Sequence, residues 1–110
     1  MLHERLDCYR ESIKLAKELG GISGSWPRGY GYLVYQLRRA MASVVLNLAE
    51  GNARMGKGER KRFFQISRAS LAEVAACIDL AAAFSLIPAR AVMENKELID
   101  RISRMLYRLN

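Results

Sequence analysis

Apolar residues recur at alternating spacings of three and four in four stretches of this chain, and strand-like alternation is convincing nowhere. The first stretch places Leu2, Leu6, Tyr9, Ile13 and Ala16 on one side of a helix predicted over residues 3–19, with Gly20 and Gly21 as its stop. Residues 20–29 contain four glycines and Pro27 and read as a loop. A second helix, over about 30–50, carries the stripe Leu33, Leu37, Ala40, Met41, Val44 and Leu48, with Gly51 as its C-terminal stop. The third is predicted from Glu59 to Leu86, about 40 Å at 1.5 Å per residue. Pro88 suits the first turn of a fourth helix, in which Val92, Ile99, Ile102, Leu106 and Leu109 face inward. Short connections make neighbouring helices antiparallel, so the expected fold is all-α: an up-down four-helix bundle forming a single domain over residues 1–110.

Two helices carry more apolar surface than one bundle needs. In the second, Tyr35, Ala42, Leu46 and Ala49 form a flank away from the main stripe. The third has one stripe of Phe63, Ile66, Val74, Cys77, Ala81 and Phe84, and a second of Phe64, Leu71, Ala75, Ile78 and Ala82 about 100° away. A helix apolar on two sides is either central in a larger core or packed against another subunit. With four helices none is fully central, so the second flanks point to self-association.

Between the two apolar flanks of the second helix runs a polar seam. Gln36, Arg39, Ser43, Asn47 and Glu50 fall within about 80° of one another on a helical projection. So narrow a polar stripe reads as a buried or interfacial hydrogen-bond network. Folding the third helix back at about residue 56 brings Ser70 and Glu73 alongside it, Glu73 near Arg39 and Ser70 near Arg39 and Ser43. A buried carboxylate has to be paired, and the planar fork of Arg39 suits Glu73. The seam is expected to be structural.

These residues carry a resemblance. The text Gly31-Tyr32-Leu33, Gln36-Leu37-Arg38-Arg39-Ala40, Ser43 and Asn47-Leu48-Ala49-Glu50-Gly51-Asn52, followed by Arg54, Phe63, Ser70 and Glu73-Val74-Ala75, is similar to bacterial four-helix-bundle proteins related to those encoded by intervening sequences of 23S ribosomal RNA genes. The match covers most of the chain and is strongest over 31–80. It departs at Tyr9, where Trp is frequent, and at Ala69-Ser70, where Gly-Ser is common. The resemblance implies a four-helix bundle that assembles into a ring, typically a homopentamer, with no established catalytic activity. A more distant resemblance is to the accessory protein of diversity-generating retroelements, a basic pentameric barrel associated with nucleic acid and a reverse transcriptase.

Composition adds a partner class. The formal net charge is +7, and all of the excess lies in residues 28–68, which hold nine Arg or Lys against two Glu. A localised basic excess points to a polyanion. Arg54 and Lys57 are assigned to the loop, and Arg60, Lys61 and Arg62 to the first turn of the third helix, where cations oppose the helix dipole and only Glu59 offsets them. Stability alone would favour acids there, so the cluster is read as a docking point for phosphates, a basic rim that contacts the backbone of structured RNA or of DNA. The alternative is an oligomeric scaffold whose rim meets an acidic protein partner.

Little else suggests chemistry. His3 is the only imidazole, and Cys8 and Cys77 are isolated, so neither a zinc site nor any other metal or cofactor site is expected. Gly56-Lys57-Gly58 resembles a phosphate-cradling turn only weakly. Ser43, Ser67 and Ser70 have no histidine with which to build a triad, and Glu50 and Glu73 have closer Arg neighbours than each other. The chain is therefore expected not to be an enzyme. No apolar run approaches the roughly 20 residues that cross a bilayer, and residues 1–20 lack a signal-peptide pattern, which with two reduced thiols makes the cytoplasm the expected location, without membrane partners.

Overall fold

The structure, a computed structural model, describes residues 2–109. It comprises α1 (Leu2–Ser23), α2 (Gly31–Ala53), α3 (Lys57–Ala83) and α4 (Ala89–Arg108). Among the described residues the helices pack in a closed order, α1 on α2, α2 on α3, α3 on α4 and α4 on α1, with no close backbone approach between the diagonal pairs. The α2–α3 interface is the most extensive, and the body measures 44 × 23 × 17 Å.

Three glycines expected to stop helices do not. α1 continues through Gly20 and Gly21 to Ser23, because its terminal carbonyls find partners further on. Arg38 of α2 donates through Nη2 to the Gly20 carbonyl (3.2 Å) and through Nε to Ser23 Oγ (3.3 Å), and Gly24 N–H also reaches Gly20 O. Gly51 lies inside α2, where a Cβ would stand 2.5 Å from Phe64 Cε1. Its missing side chain serves close helix approach instead of a turn. α2 thus reaches Ala53 and α3 starts at Lys57, two residues before the expected Glu59, leaving a connection of only 54–56. α3 ends earlier than expected, in a turn where Ser85 takes a positive φ of 59°. There Leu86 N–H reaches Ala81 O and Ser85 N–H reaches Ala82 O.

The core face of α2 is the expected one: Leu33, Leu37, Ala40, Met41, Val44 and Leu48 are all buried. On α4, Ile99, Ile102, Leu106 and the following Leu109 are buried as expected, Val92 is half-buried, and Asn95 joins them through an Nδ2 bond to Ala91 O (2.8 Å). α1 is turned by about one residue from its expected orientation. Cys8, Ser12, Leu15, Leu19 and Ser23 face in, while Leu2, Leu6 and Ile13 are exposed. Ser12 is tolerated there because its hydroxyl bonds back to Cys8 O (2.9 Å).

On α3 the two expected stripes are the edges of one wide buried face: Phe64, Ser67, Leu71, Val74, Cys77, Ile78 and Ala81. Ser67 sits at its centre and donates to the Val44 carbonyl of α2 at 2.7 Å. Leu71, assigned above to a second subunit, is 1% exposed and belongs to the protomer's core, whereas Ile66 and Phe84 of the first stripe are exposed. The second flank of α2 is open: Tyr35, Ala42, Leu46 and Ala49 are exposed, Leu46 at 63%. Its Ala42 and Leu46, with Ile13, Ala16 and Val45, line an apolar groove of about 380 Å³ between α1 and α2.

Candidate nucleic-acid interface

The polar seam of α2 lies at the border of the α2–α3 contact, so only its inner members are covered. Ser43 and Ser70 meet as expected, their hydroxyls 2.6 Å apart. Asn47 Nδ2 donates to Ser43 O (2.8 Å) and to Ser43 Oγ (3.1 Å). Gln36, Arg39, Glu50 and Glu73 stand on the solvent side and are exposed. Arg39 and Glu73 form no ion pair among the described residues, which corrects the expected buried pair: the protomer offers them water, and water removes the need for a partner. Glu50 instead pairs with Arg54, one turn further along α2 (2.7 Å).

At the α2–α3 turn the five expected cations divide by what already holds them. Arg54 bonds Glu50 and lies 5.1 Å over the Phe63 ring, so that half-buried ring is a platform for a guanidinium. Arg60 donates through Nη1 to Met55 O (2.6 Å) and weakly to Arg54 O (3.4 Å), tying down the carbonyls that leave α2. Lys57, Lys61 and Arg62 are exposed and have no hydrogen bond or ion pair among the described residues. Lys57 and Lys61 are one turn apart on a single face of α3.

Because α3 begins at Lys57, that residue alone stands at the head of the helix, and Lys61 and Arg62 fall in the second turn. The helix dipole therefore opposes Lys57, which was expected in the loop, more than Lys61 and Arg62, since its effect fades beyond the first turn. The helix head itself is open: Gly56 precedes it with no side-chain cap. Gly56 and Gly58 have empty space where a Cβ would be, and Gly56 has an ordinary extended φ of −75°, so no glycine-dependent phosphate cradle is built there.

A family model described as 23S rRNA-intervening sequence protein matches residues 4–108. The chain belongs to that family. No curated protein matches it. The family assignment agrees with the four helices seen here, and two features of this member bear on chemistry. Both thiols are buried: desolvation, and secondarily the Glu11 charge, pushes Cys8 up from 9.0 to about 12, and burial followed by the Glu73 charge raises Cys77. Among the described residues no cluster of His, Cys, Asp or Glu could hold a metal ion, and no helix is long and apolar enough to cross a membrane.

A second group of cations stands toward the other end of α2. Arg28, Arg38 and Arg39 line an open cleft at the α1–α2 turn together with Trp26 and Tyr35. They belong to the same basic segment but lie outside its densest run, 54–62. The spacing Tyr32, Tyr35, Arg39 on one face of α2 was the available signal.

Proposed function

We propose that this member of the intervening-sequence family is a non-catalytic nucleic-acid-binding protein that reads the phosphate backbone of RNA or DNA through the α2–α3 turn. The observation that carries this reading is the set of three unpartnered, solvent-facing cations, Lys57, Lys61 and Arg62, beside an uncapped helix head. Arg54 adds charge at the cost of its bond to Glu50. Arg60 contributes through the shape of the turn.

The same reading takes the protein to act in the cytoplasm as a homo-oligomer, a pentameric ring by family resemblance, so that the cluster repeats around a rim. The apolar α1–α2 groove with Ile13 and Leu46 at its edges supports assembly, since a face of this kind is unfavourable in water. Contacts of Ser43 with Ser70, Val44 with Ser67 and Gly51 with Phe64 approach a common midpoint near residue 56, which supports antiparallel packing of α2 and α3 in an up-down bundle.

Salt titration of binding to several unrelated RNAs and duplexes tests the function. Three neutralised phosphates give a slope of about −3 for log K against log salt on duplex. Lys57→Gln, Lys61→Gln and Arg62→Gln should each remove about one unit and weaken all sequences alike. Arg10→Gln, whose guanidinium pairs with Asp7, is the control. Absence of binding at low salt, with recovery of one acidic protein partner instead, would favour the scaffold reading.

A further inference from the structure

We infer that the cleft at the α1–α2 turn is a second nucleic-acid contact, one that takes unpaired nucleotides by stacking their bases. The cleft encloses about 950 Å³, which accommodates one to two nucleotides, and is lined by Trp26, Arg28, Tyr35, Arg38 and Arg39 with no carboxylate among its lining residues. Arg38 is fixed by its bonds to Gly20 O and Ser23 Oγ. Arg28 and Arg39 are exposed and have no partner among the described residues.

Aromatic faces stand beside these charges. Tyr35 is 65% and Tyr32 58% exposed. Tyr32, Tyr35 and Arg39 follow one another at helical spacing on the same side of α2. Tyr30 anchors the end of this surface, its ring 6.5 Å from that of Tyr32 and 5.9 Å from that of Phe84.

Rings interleaved with guanidinium groups match the physics of single-strand binding, in which bases stack on aromatic side chains and cations follow the backbone. Bases inside a duplex already stack on each other and offer no free face, so the cleft should discriminate for unpaired strands. The α2–α3 turn, which presents charges and no free ring, has no such preference. The two sites lie at opposite ends of α2, with Arg39 and Arg54 about 22 Å apart along the helix axis. A strand with an unpaired end next to a structured region could touch both. The inference shares with the proposed function only the class of ligand.

Trp26 is the single tryptophan of the chain and lines the cleft, so it reports on occupancy. An unstructured 12-nucleotide oligo-dU and a blunt duplex of equal length are titrated against the full-length protein. Trp26 fluorescence and the anisotropy of labelled strands are followed together. Oligo-dU should quench Trp26 and the duplex should not. Tyr35→Ala should weaken oligo-dU about tenfold with an unchanged salt slope, Tyr35→Phe should restore it, and duplex binding should not change. Arg28→Gln and Arg39→Gln should each reduce the single-strand salt slope by about 0.7. Light scattering on each variant identifies any loss that comes from altered assembly, and the arginine variants then decide. Oligo-dU affinity unaffected by all of these substitutions, or equal losses on duplex, overturns the inference. If the lysine and Arg62 variants still weaken binding in that case, the proposed function survives alone. If only the cleft variants weaken it, the α2–α3 reading falls and this one stands.

Discussion

Adding a single methyl group at Gly51 tests the packing of α2 on α3 at its closest approach. A Cβ built there would lie 2.5 Å from Phe64 Cε1, 2.8 Å from Cδ1 and 3.1 Å from Cζ. Phe64 is 3% exposed, so its ring has no room to swing aside without displacing the core. Helix propensity favours Ala over Gly by about 1 kcal/mol, whereas an extra carbon in a filled core costs about 1–3 kcal/mol. Contacts this short belong at the upper end of that range, so Gly51→Ala should destabilise by about 1–2 kcal/mol net. Gly21→Ala provides the opposite case in the same molecule. Gly21 is also helical, nothing lies within 4 Å of its Cβ position, and the substitution should stabilise by about 0.5–1 kcal/mol. Phe64→Ala removes the whole ring, and in that background Gly51→Ala should become neutral or favourable, a coupling of about 1–2 kcal/mol. Urea unfolding followed by helical circular dichroism measures the four variants and the unsubstituted protein, at one protein concentration because an oligomer's midpoint depends on it. If Gly51→Ala stabilises as much as Gly21→Ala, or if its effect adds to that of Phe64→Ala, the ring contact does not exist as described.

Other substitutions test separate parts of the structure. Ser85→Gly should stabilise by about 1 kcal/mol in the same assay, because Ser85 holds a left-handed φ of 59° that glycine adopts without strain; an unchanged midpoint would argue against that turn. Leu46→Glu should leave helicity intact and reduce the mass seen by light scattering, whereas Leu71→Glu should unfold the chain, since a charge at a fully buried site finds no partner. Native protein at pH 8 should react slowly with a thiol reagent at both cysteines and fully only after denaturation, because burial raises both thiols. The unfolded Cys8 thiol releases its proton near 9.0 and the folded one near 12. Above pH 9 the folded state therefore binds more protons, and stability should fall as pH rises toward 12; Cys8→Ala should flatten that decline, measured as the difference between the two proteins.

How far the sequence reveals this molecule depends on whether its polar letters are also core letters. α2 was legible because its inward stripe is purely apolar from Leu33 to Leu48, so periodicity and burial coincide. α3 was not, because Ser67 occupies the middle of its buried face; its hydroxyl is satisfied by Val44 O, a bond invisible to any hydropathy pattern, and the polar letter splits one face into two stripes. α1 was misoriented for the same reason: Cys8, Ser12 and Ser23 face inward, while the more apolar-looking Leu2, Leu6 and Ile13 remain outside. The exposed side of α1 joins that of α2 at the groove between them, so the inward Ser12 and Cys8 also hide from the hydropathy pattern part of the surface that supports self-association. At the candidate interface the count of charges was readable and their availability was not. Arg54 and Arg60 look equivalent to Lys57 and Lys61 in the sequence, yet Glu50 and two backbone carbonyls already hold them. Conversely, Arg39, expected in a buried pair, is exposed beside Tyr35 and has no partner among the described residues. The exchange of roles between Arg39 and Arg60 moves part of the binding charge to the far end of α2, where aromatic rings give it a different ligand preference.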